Sequence, residues 1–204
     1  MTAAAQRNAR TQALGFDAVV IGGSAGSVEA LSVLLPALPG TLQAAVLVVL
    51  HLPRNRPSLL CHIFRSRCAL PLREAEDKEP IAPGTVYFAP PDYHLLVDDG
   101  PALALSVDAP VHYSRPSIDV LFESAADAYG SRLIGMLLSG ANQDGARGLA
   151  AIEGRGGLAI VQDPASAGVR TMPESALART AAPRILAPQQ MAAFLNALHA
   201  ERKL

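Results

Sequence analysis

Short apolar runs that end in glycine-rich or polar turns recur along this chain, and they restrict its fold more than any other feature. Residues 16–21 run directly into the turn at residues 22–26, and residues 44–50 end at His51. Both runs are short for a helix and rich in valine, as in parallel strands that are covered on two faces. Because helical segments separate such runs, the pattern predicts an α/β fold.

Helices and one different segment complete the predicted architecture. Residues 28–35 before Pro36 and residues 118–129, with Pro116 in the first helical turn, carry apolar side chains at helical spacing. Between residues 70 and 107, short Val/Tyr/Leu pieces alternate with Pro/Gly/Asp turns, which predicts an antiparallel β-hairpin. We therefore predict a doubly wound, mostly parallel sheet with helices on both faces and an antiparallel insertion around residues 70–107.

Length and composition favour one domain. The chain has 204 residues, of which 50% are hydrophobic and 17% are charged, so it can bury a substantial core. We predict a flexible leader over residues 1–15 and a single domain over residues 16–204. The net charge of −1 provides no general attraction to nucleic acid or to acidic membranes, so neither is expected as a partner.

The lack of a secretory signal and the pattern of cysteines predict a cytoplasmic protein. Residues 1–14 lack the apolar stretch of a secretory signal, and no apolar run approaches the roughly 20 residues that span a bilayer. Cys61 and Cys68 have no zinc-type cluster of His and Cys around them, which favours two reduced, partly buried thiols. We expect a soluble, cytoplasmic protein that does not insert into a membrane.

The turn at residues 22–26, Gly-Gly-Ser-Ala-Gly, matches the G-x-S-x-G pattern of a nucleophile between a strand and a helix. Glycines allow the tight backbone, and N–H groups at the start of the next helix can stabilise an oxyanion beside Ser24. A glycine-rich turn without chemistry explains the same residues. A dinucleotide-binding loop is a weaker alternative, because Ile21 stands where the first glycine of G-x-G-x-x-G belongs and the second strand ends in His51 rather than in an acidic residue.

Two further polar residues follow predicted strands. His51 ends the second strand, and Asp144 lies in the loop after residues 133–138. The carboxyl ends of parallel strands meet at one edge of a sheet, so Ser24, His51 and Asp144 can serve as nucleophile, base and orienting acid. Taken singly, His51 can be a loop histidine bonded to a carbonyl, and Asp144 can be a helix N-cap. The order Ser–His–Asp differs from that of the α/β-hydrolases.

The other acids and histidines are weaker candidates for a site. Asp92 and Asp163 lie among prolines, while His62 and His199 fall on predicted helices. We predict structural or solvent-facing roles for these four residues, and no metal site.

A series of short motifs occurs in order between Val19 and about Leu186. They are IGGSAG at 21–26, EAL at 29–31, HLP at 51–53, EAED at 74–77, PGTVYFAP at 83–90, RPSIDVLF at 115–122, LSG at 138–140, DGA at 144–146, QDPAS at 162–166 and MPE at 172–174. In this order and at this spacing, the motifs resemble the catalytic domain of the chemotaxis protein-glutamate methylesterase, CheB. The resemblance rests on their number and order, since no single motif is decisive.

The resemblance implies a Ser24–His51–Asp144 triad, with Ala25 and Ala141 at the positions that serve the oxyanion and orient the substrate. The implied reaction is hydrolysis of glutamyl γ-methyl esters on the cytoplasmic helices of chemoreceptors, through an acyl-enzyme and with release of methanol. Deamidation of receptor glutamines is the family's second activity. The resemblance implies no metal and no organic cofactor. The implied partners are methylated receptor helices and other chemotaxis signalling proteins.

Two positions depart from the family pattern and keep a second hypothesis open. Ala25 replaces a usual Ser or Thr beside the nucleophile, and Ala141 stands where the family often has methionine. Alanine keeps the backbone N–H at both places, but a missing side chain can weaken activity. The alternative to an active esterase is therefore a catalytically degenerate module that binds receptor or signalling helices.

The family's usual form also carries an N-terminal phospho-receiver domain that blocks the active site. Ser24 lies too near the start of this sequence for such a domain to precede it. We therefore expect a stand-alone esterase that is not gated by phosphorylation in cis.

Overall fold

A computed structural model describes residues 15–52, 57–98, 100 and 102–204 of the chain. The leader predicted over residues 1–15 therefore lies almost entirely outside the described residues. Within them, no helix combines the length and the apolar character that crossing a bilayer requires.

Cys61 and Cys68 are both free and partly buried, and burial raises the pKa of each thiol above its ordinary value.

Parallel strands form the main sheet, and all of its neighbouring pairs run in the same direction. In spatial order the strands are β3 (Leu72–Glu74), β4 (Val86–Phe88), β2 (Ala45–Leu50), β1 (Ala18–Gly23), β7 (Leu133–Leu137), β8 (Leu158–Gln162) and β9 (Arg184–Leu186). Two more strands, β5 (His94–Asp98) and β6 (Ala102–Ser106), form a separate antiparallel hairpin. The central strand β1 thus has β2 on one side and β7 on the other.

Helices cover both faces of the main sheet. One face carries α1 (Ser27–Ala37), α2 (Leu60–Phe64) and α6 (Pro188–Ala200). The other carries α3 (Ile118–Tyr129), α4 (Ala146–Gly154) and α5 (Thr171–Leu177), together with the hairpin. Single 3₁₀ turns occur at Gly130–Arg132 and Pro164–Ser166.

Alternation along β1 explains why both faces must be covered. Val19 and Ile21 point into the core beneath α1 and α6, whereas Ala18 and Val20 point into the core beneath α3 and α4. All four side chains are buried. Burying a valine or isoleucine stabilises the fold by about 1.5–3 kcal/mol, so β1 contributes to both cores at once.

The predicted fold class is confirmed, with differences in detail. The antiparallel strands of the 70–107 segment are β5 and β6, with one further antiparallel bridge between Pro80 and Ala102. The short runs at β3 and β4 pair in parallel with the main sheet. Helix α1 continues through Pro36, which lies in its last turn and has no N–H to donate to Ser32 O. That carbonyl instead accepts from Arg67 Nη2 at 3.3 Å. Pro116 lies outside α3, since Ser117 is the N-cap and the helix starts at Ile118.

The contact between α3 and α4 provides a test of this packing. A Cβ atom added at Gly148 would lie 2.5 Å from Phe122 Cβ and 3.2 Å from two backbone atoms of Asp119. We expect Gly148→Ala to lower the free energy of unfolding by about 2 kcal/mol through overpacking. Urea denaturation followed by circular dichroism measures the change.

Gly154→Ala in the same helix is the matched control. A Cβ atom there meets nothing within 4 Å, so we expect no loss of stability and a gain of up to about 1 kcal/mol. Equal stabilities for the Gly148→Ala and Gly154→Ala proteins would contradict the close helix contact.

Candidate active site

The end of β1 and the end of β2 bring Ser24 and His51 side by side. The parallel register pairs Gly23 with Leu50, so the two polar residues follow at equivalent positions on adjacent strands. His51 continues the ladder, because its backbone N–H donates to Gly23 O at 3.2 Å. Both side chains are partly exposed at this edge of the sheet.

The loop after β7 passes Ser24 on the opposite side from His51. Leu138 N–H donates to Gly22 O at 2.8 Å, and Ser24 N–H donates to Ser139 O at 2.9 Å. The backbones approach so closely that a Cβ atom at Gly140 would lie 3.0 Å from Ser24 Cβ. This loop continues to Asp144, so the strands on both sides of β1 lead to candidate residues at the edge where Ser24 lies.

A buried hydrogen bond joins His51 to Asp144. The distance from His51 Nε2 to Asp144 Oδ2 is 2.8 Å, and the aspartate is fully buried. Asp144 Oδ2 also accepts from Ile118 N–H at 2.8 Å, and its Oδ1 accepts from Ser117 Oγ at 2.8 Å and Asp119 N–H at 3.0 Å. The carboxylate therefore receives four hydrogen bonds from two other segments of the chain, His51 and residues 117–119.

Helix α3 begins at this carboxylate. Its first N–H groups, at Ile118 and Asp119, point at Asp144, where the positive end of the helix dipole favours an anion. Burial opposes ionisation, but the hydrogen bond from His51 and those from the helix N–H groups outweigh it. The pKa of Asp144 is consequently lowered from its ordinary value of 3.8.

The carboxylate determines which imidazole nitrogen can act as a base. Asp144 accepts, so His51 carries its proton on Nε2 and leaves Nδ1 as the acceptor. Nδ1 is 3.5 Å from Ser114 Oγ, a weak contact. Within the described part of the chain, the Ser24 hydroxyl makes no hydrogen bond, so Ser24 and His51 are adjacent but not joined.

Free backbone donors flank Ser24 at the two predicted oxyanion positions. Neither Ala25 N–H nor Ala141 N–H donates to any residue that the structure describes. Both residues are exposed. Gly26 follows with φ of 80°, a left-handed conformation that favours glycine and allows α1 to begin one residue later. The turn therefore leaves N–H groups available to an oxyanion.

Two buried polar residues that the sequence analysis missed hold this turn. Ser139 Oγ donates to Ala25 O at 2.7 Å and accepts from Val169 N–H at 2.9 Å. Gln162 Oε1 accepts from Ser139 N–H at 2.9 Å. Both residues lie in motifs of the resemblance, LSG and QDPAS, but motifs alone assign them no role.

His94 is another missed residue, and it supports the start of α3. Its imidazole is buried on β5, where Nδ1 accepts from Ser117 N–H at 3.1 Å and Nε2 lies 3.2 Å from Ala109 O. These partners require a neutral ring with its proton on Nε2. His94 thereby fixes the N-cap residue whose hydroxyl binds Asp144.

The four weaker candidates lie away from these contacts. Asp92 pairs with Arg115 at 2.9 Å, and Asp163 accepts from Ala165 N–H at 2.9 Å. His62 is exposed on α2, and His199 on α6 contacts Thr41 at 3.0 Å. None of these four hydrogen-bonds Ser24, His51 or Asp144 within the described residues.

Comparisons with known proteins agree with one another. Residues 19–195 match a family model described as CheB methylesterase. A putative protein-glutamate methylesterase/protein-glutamine glutaminase of Leptospira interrogans is 42% identical over 88% of this chain and 93% of its own length. A protein-glutamate methylesterase/protein-glutamine glutaminase of Symbiobacterium thermophilum is 39% identical over 82% of this chain and 46% of its own length.

A solved structure shows the same fold. The crystal structure of the Thermotoga maritima CheB methylesterase catalytic domain superposes with a TM-score of 0.85 at 31% identity. The match covers 91% of this chain and 100% of the Thermotoga chain.

The buried carboxylate provides a test through pH-dependent stability. The folded pKa of Asp144 is lowered, so its ionised form stabilises the fold above the unfolded pKa, and this contribution is lost as pH falls through the folded pKa. We expect Asp144→Asn to lower the free energy of unfolding by about 2–3 kcal/mol at pH 7, because its NH₂ group faces hydrogen-bond donors. The deficit should shrink as pH falls below about 4.

Denaturant titrations of both proteins across this pH range measure the difference. Asp108→Asn, at an exposed aspartate, is the control for the loss of one negative charge from the surface. A deficit for Asp144→Asn that stays constant down to the acid limit of folding would contradict the lowered pKa.

Proposed function

The chain belongs to the CheB methylesterase family, and we propose that it is a serine esterase that hydrolyses glutamyl γ-methyl esters on the cytoplasmic helices of chemoreceptors. The observation that carries the proposal is the buried His51–Asp144 hydrogen bond at the edge of the sheet where Ser24 emerges. Such an arrangement supports acyl transfer, because a serine hydroxyl needs a positioned base to become a good nucleophile.

In the proposed first step, Ser24 Oγ attacks the ester carbonyl while its proton passes to His51 Nδ1. Neighbouring strands lie about 4.8 Å apart, and the proposed movement that brings the hydroxyl to the imidazole is a rotation of the Ser24 side chain about χ1. The imidazolium that forms is stabilised by Asp144, whose ionised state is favoured by four donors. Departing methoxide takes the proton from His51 and leaves as methanol.

In the second step, water replaces methanol and regenerates the enzyme. His51 accepts a proton from the water as it attacks the acyl carbonyl, and then returns that proton to Ser24 Oγ. The products are a receptor glutamate and free Ser24. A glutamine substrate follows the same course with ammonia as the leaving group, which gives the deamidase activity of the family.

The free N–H groups of Ala25 and Ala141 are the proposed oxyanion donors. They lie on the two chain segments that flank Ser24, and neither is bonded to another described residue. A single donor of this kind typically contributes about 3–4 kcal/mol to stabilising the transition state. Because the donors belong to the backbone, the alanines that replace the family's usual residues retain them.

The remaining proposals concern the partner, the place of action and the domain. We propose methylated receptor helices as the protein substrate, other chemotaxis signalling proteins as further partners, and the cytoplasm as the location, since these receptor helices are cytoplasmic. We also propose that residues 16–204 act as one catalytic domain. Its support is the single main sheet, both faces of which are covered by helices from this segment.

One observation favours a second candidate function. Ser24 Oγ is not hydrogen-bonded to His51, which is also what a degenerate module that only binds receptor helices would show. The two functions separate in a single experiment, because a binding module forms a complex with methylated receptor fragments but releases no methanol.

The proposed nucleophile can be tested by chemical labelling and turnover. We expect a fluorophosphonate to label the protein once per chain, at Ser24, and the protein to release methanol from methylated receptor fragments. Ser24→Ala should abolish both signals, and His51→Ala should lower kcat by about 10⁴-fold or more. Peptide mapping by mass spectrometry locates the label.

Ser175→Ala is the matched control, since Ser175 is a partly exposed serine whose hydroxyl bonds, among the described residues, only to Thr171 O. It should label and turn over like the parent. Methanol release that survives in Ser24→Ala would exclude Ser24 as the nucleophile. Receptor binding without methanol release by the parent would favour the binding module.

The role of position 141 can be tested separately. If its contribution is the backbone N–H, Ala141→Met keeps the donor, and we expect kcat to stay within about threefold of the parent, far from the 10²–10³-fold effect of an oxyanion donor. Steady-state methanol release provides kcat and KM. An increase of tenfold or more in kcat would show instead that the family's methionine side chain acts in the reaction.

A further inference from the structure

A second histidine–aspartate contact lies beside the first. His112 Nε2 is 3.3 Å from Asp119 Oδ2. A nitrogen of His112, a carboxylate oxygen of Asp119 and one of Asp144 all lie within 4.8 Å of one another. Imidazole nitrogen and carboxylate oxygen are ligands that zinc prefers. Two ligands on one tetrahedral zinc ion, each about 2.0–2.1 Å from it, lie about 3.3 Å apart. The His112–Asp119 separation therefore suits a shared zinc ion.

Asp119 presents an oxygen that lacks a hydrogen-bond donor. Its side chain is fully buried, and Oδ1 accepts from Gly148 N–H at 2.7 Å. Oδ2 is also buried, but no described residue hydrogen-bonds to it. Burial, together with the charge of Asp144, raises the pKa of Asp119 above its ordinary value despite the Gly148 bond. A buried carboxylate oxygen in this state attracts a proton or a cation.

The chain holds His112 at this place in an unfavourable backbone conformation. Val111 and Ser114 exchange two backbone hydrogen bonds, of 3.1 and 2.8 Å, around a tight turn. The central residues, His112 and Tyr113, have φ of 49° and 61°, where Asn and Gly are normally preferred. The His112 side chain remains 31% exposed, so an ion can reach it from solvent.

One neighbouring cation opposes a metal ion here. Arg147 Nε lies 3.8 Å from Asp119 Oδ2, but the arginine side chain is 58% exposed and also pairs with Glu123. It can therefore turn toward Glu123 and solvent when a metal ion binds. His51 is a further ionisable group near these residues. It bonds to Asp144 Oδ2, whereas Asp119 N–H donates to Oδ1.

We propose that His112 and Asp119 form a zinc site, that an oxygen of Asp144 is its third ligand, and that Zn²⁺ bound there inhibits the esterase. Asp144 already accepts four hydrogen bonds. If its carboxylate also binds the zinc ion, it loses one of these donors, such as His51 or Ser117. Without ligation, a doubly positive ion beside Asp144 still disfavours the imidazolium on His51. Inhibition rests on the proposed function, whereas binding does not.

Calorimetric titration of the EDTA-dialysed full chain with ZnCl₂ tests binding without reference to activity. The variant is His112→Asn, because asparagine tolerates positive φ but is too short to replace the imidazole nitrogen. His62→Asn is the matched control, at an exposed histidine on α2. We expect one Zn²⁺ per chain for the parent and for His62→Asn, and binding at least about tenfold weaker for His112→Asn.

Asp119→Asn, which keeps an oxygen for Gly148 N–H, is the second variant and should also bind Zn²⁺ at least about tenfold more weakly. Thermal melts establish that each variant is folded. Equal affinity of the parent and both variants, or no binding by the parent at 100-fold excess over a protein concentration of about 10 μM, would overturn the site.

Methanol release in the presence of Zn²⁺ tests the inhibition. Zinc should inhibit the parent and His62→Asn reversibly, with EDTA restoring activity, and His112→Asn should need at least about tenfold more zinc. Zinc binding that depends on His112 but leaves turnover unchanged would overturn the inhibitory role. If neither the parent nor any variant releases methanol in the absence of zinc, the proposed function fails, while the result on zinc binding still stands.

Discussion

The buried carboxylate of Asp144 is the interaction on which the site depends. It joins the loop after β7, the histidine after β2 and the first turn of α3 through four hydrogen bonds. An ionised carboxylate buried without such donors would be strongly unfavourable, so the charge and the three segments stabilise one another. Because the donors include the N-terminus of α3, the position of that helix also sets the orientation of His51.

Neighbouring residues extend this constraint away from the site. His94 holds the N-cap of α3, and Asp119, in the first turn of that helix, accepts from Gly148 N–H near the start of α4. Gly145, between Asp144 and α4, has φ of 90° and lies so close to Ile118 that a Cβ atom would be 2.6 Å from its side chain. The hairpin, α3 and α4 therefore share the support of a single buried charge.

The sequence was sufficient for features that follow from the period of the apolar residues. Helix α3 has the bounds of the apolar pattern at residues 118–129, and the adjacency of β1 and β2, which places Ser24 beside His51, follows from their predicted parallel pairing. The loop order was enough to expect Asp144 at the same edge. These features depend on which face of an element is apolar, and local sequence records that directly.

Features that depend on contacts between distant side chains could not be predicted in the same way. Ser139 and Gln162 are 23 positions apart, and His94 meets Ser117 N–H across the same separation. Nothing in the local pattern distinguishes these buried polar residues from exposed ones. The helix ends predicted at Pro36 and Pro116 were wrong, since α1 continues through Pro36 and α3 starts after Pro116. Proline occurs both within a terminal turn and just outside a helix, so its position alone does not fix the boundary.

The site combines a rigid acid–base pair with a nucleophile that has one free torsion. Asp144 cannot shift without leaving several buried donors unpaired, and His51 is held to it at 2.8 Å. Ser24 is anchored through its backbone, by Ser139 O and by the start of α1, while its hydroxyl has no partner among the described residues. In the proposed mechanism Ser24 Oγ must alternate between a proton donor and an acyl ester. Rotation of the Ser24 side chain about this one torsion leaves Asp144 and His51 in place. Moving charged groups is the reorganisation that would cost the most free energy.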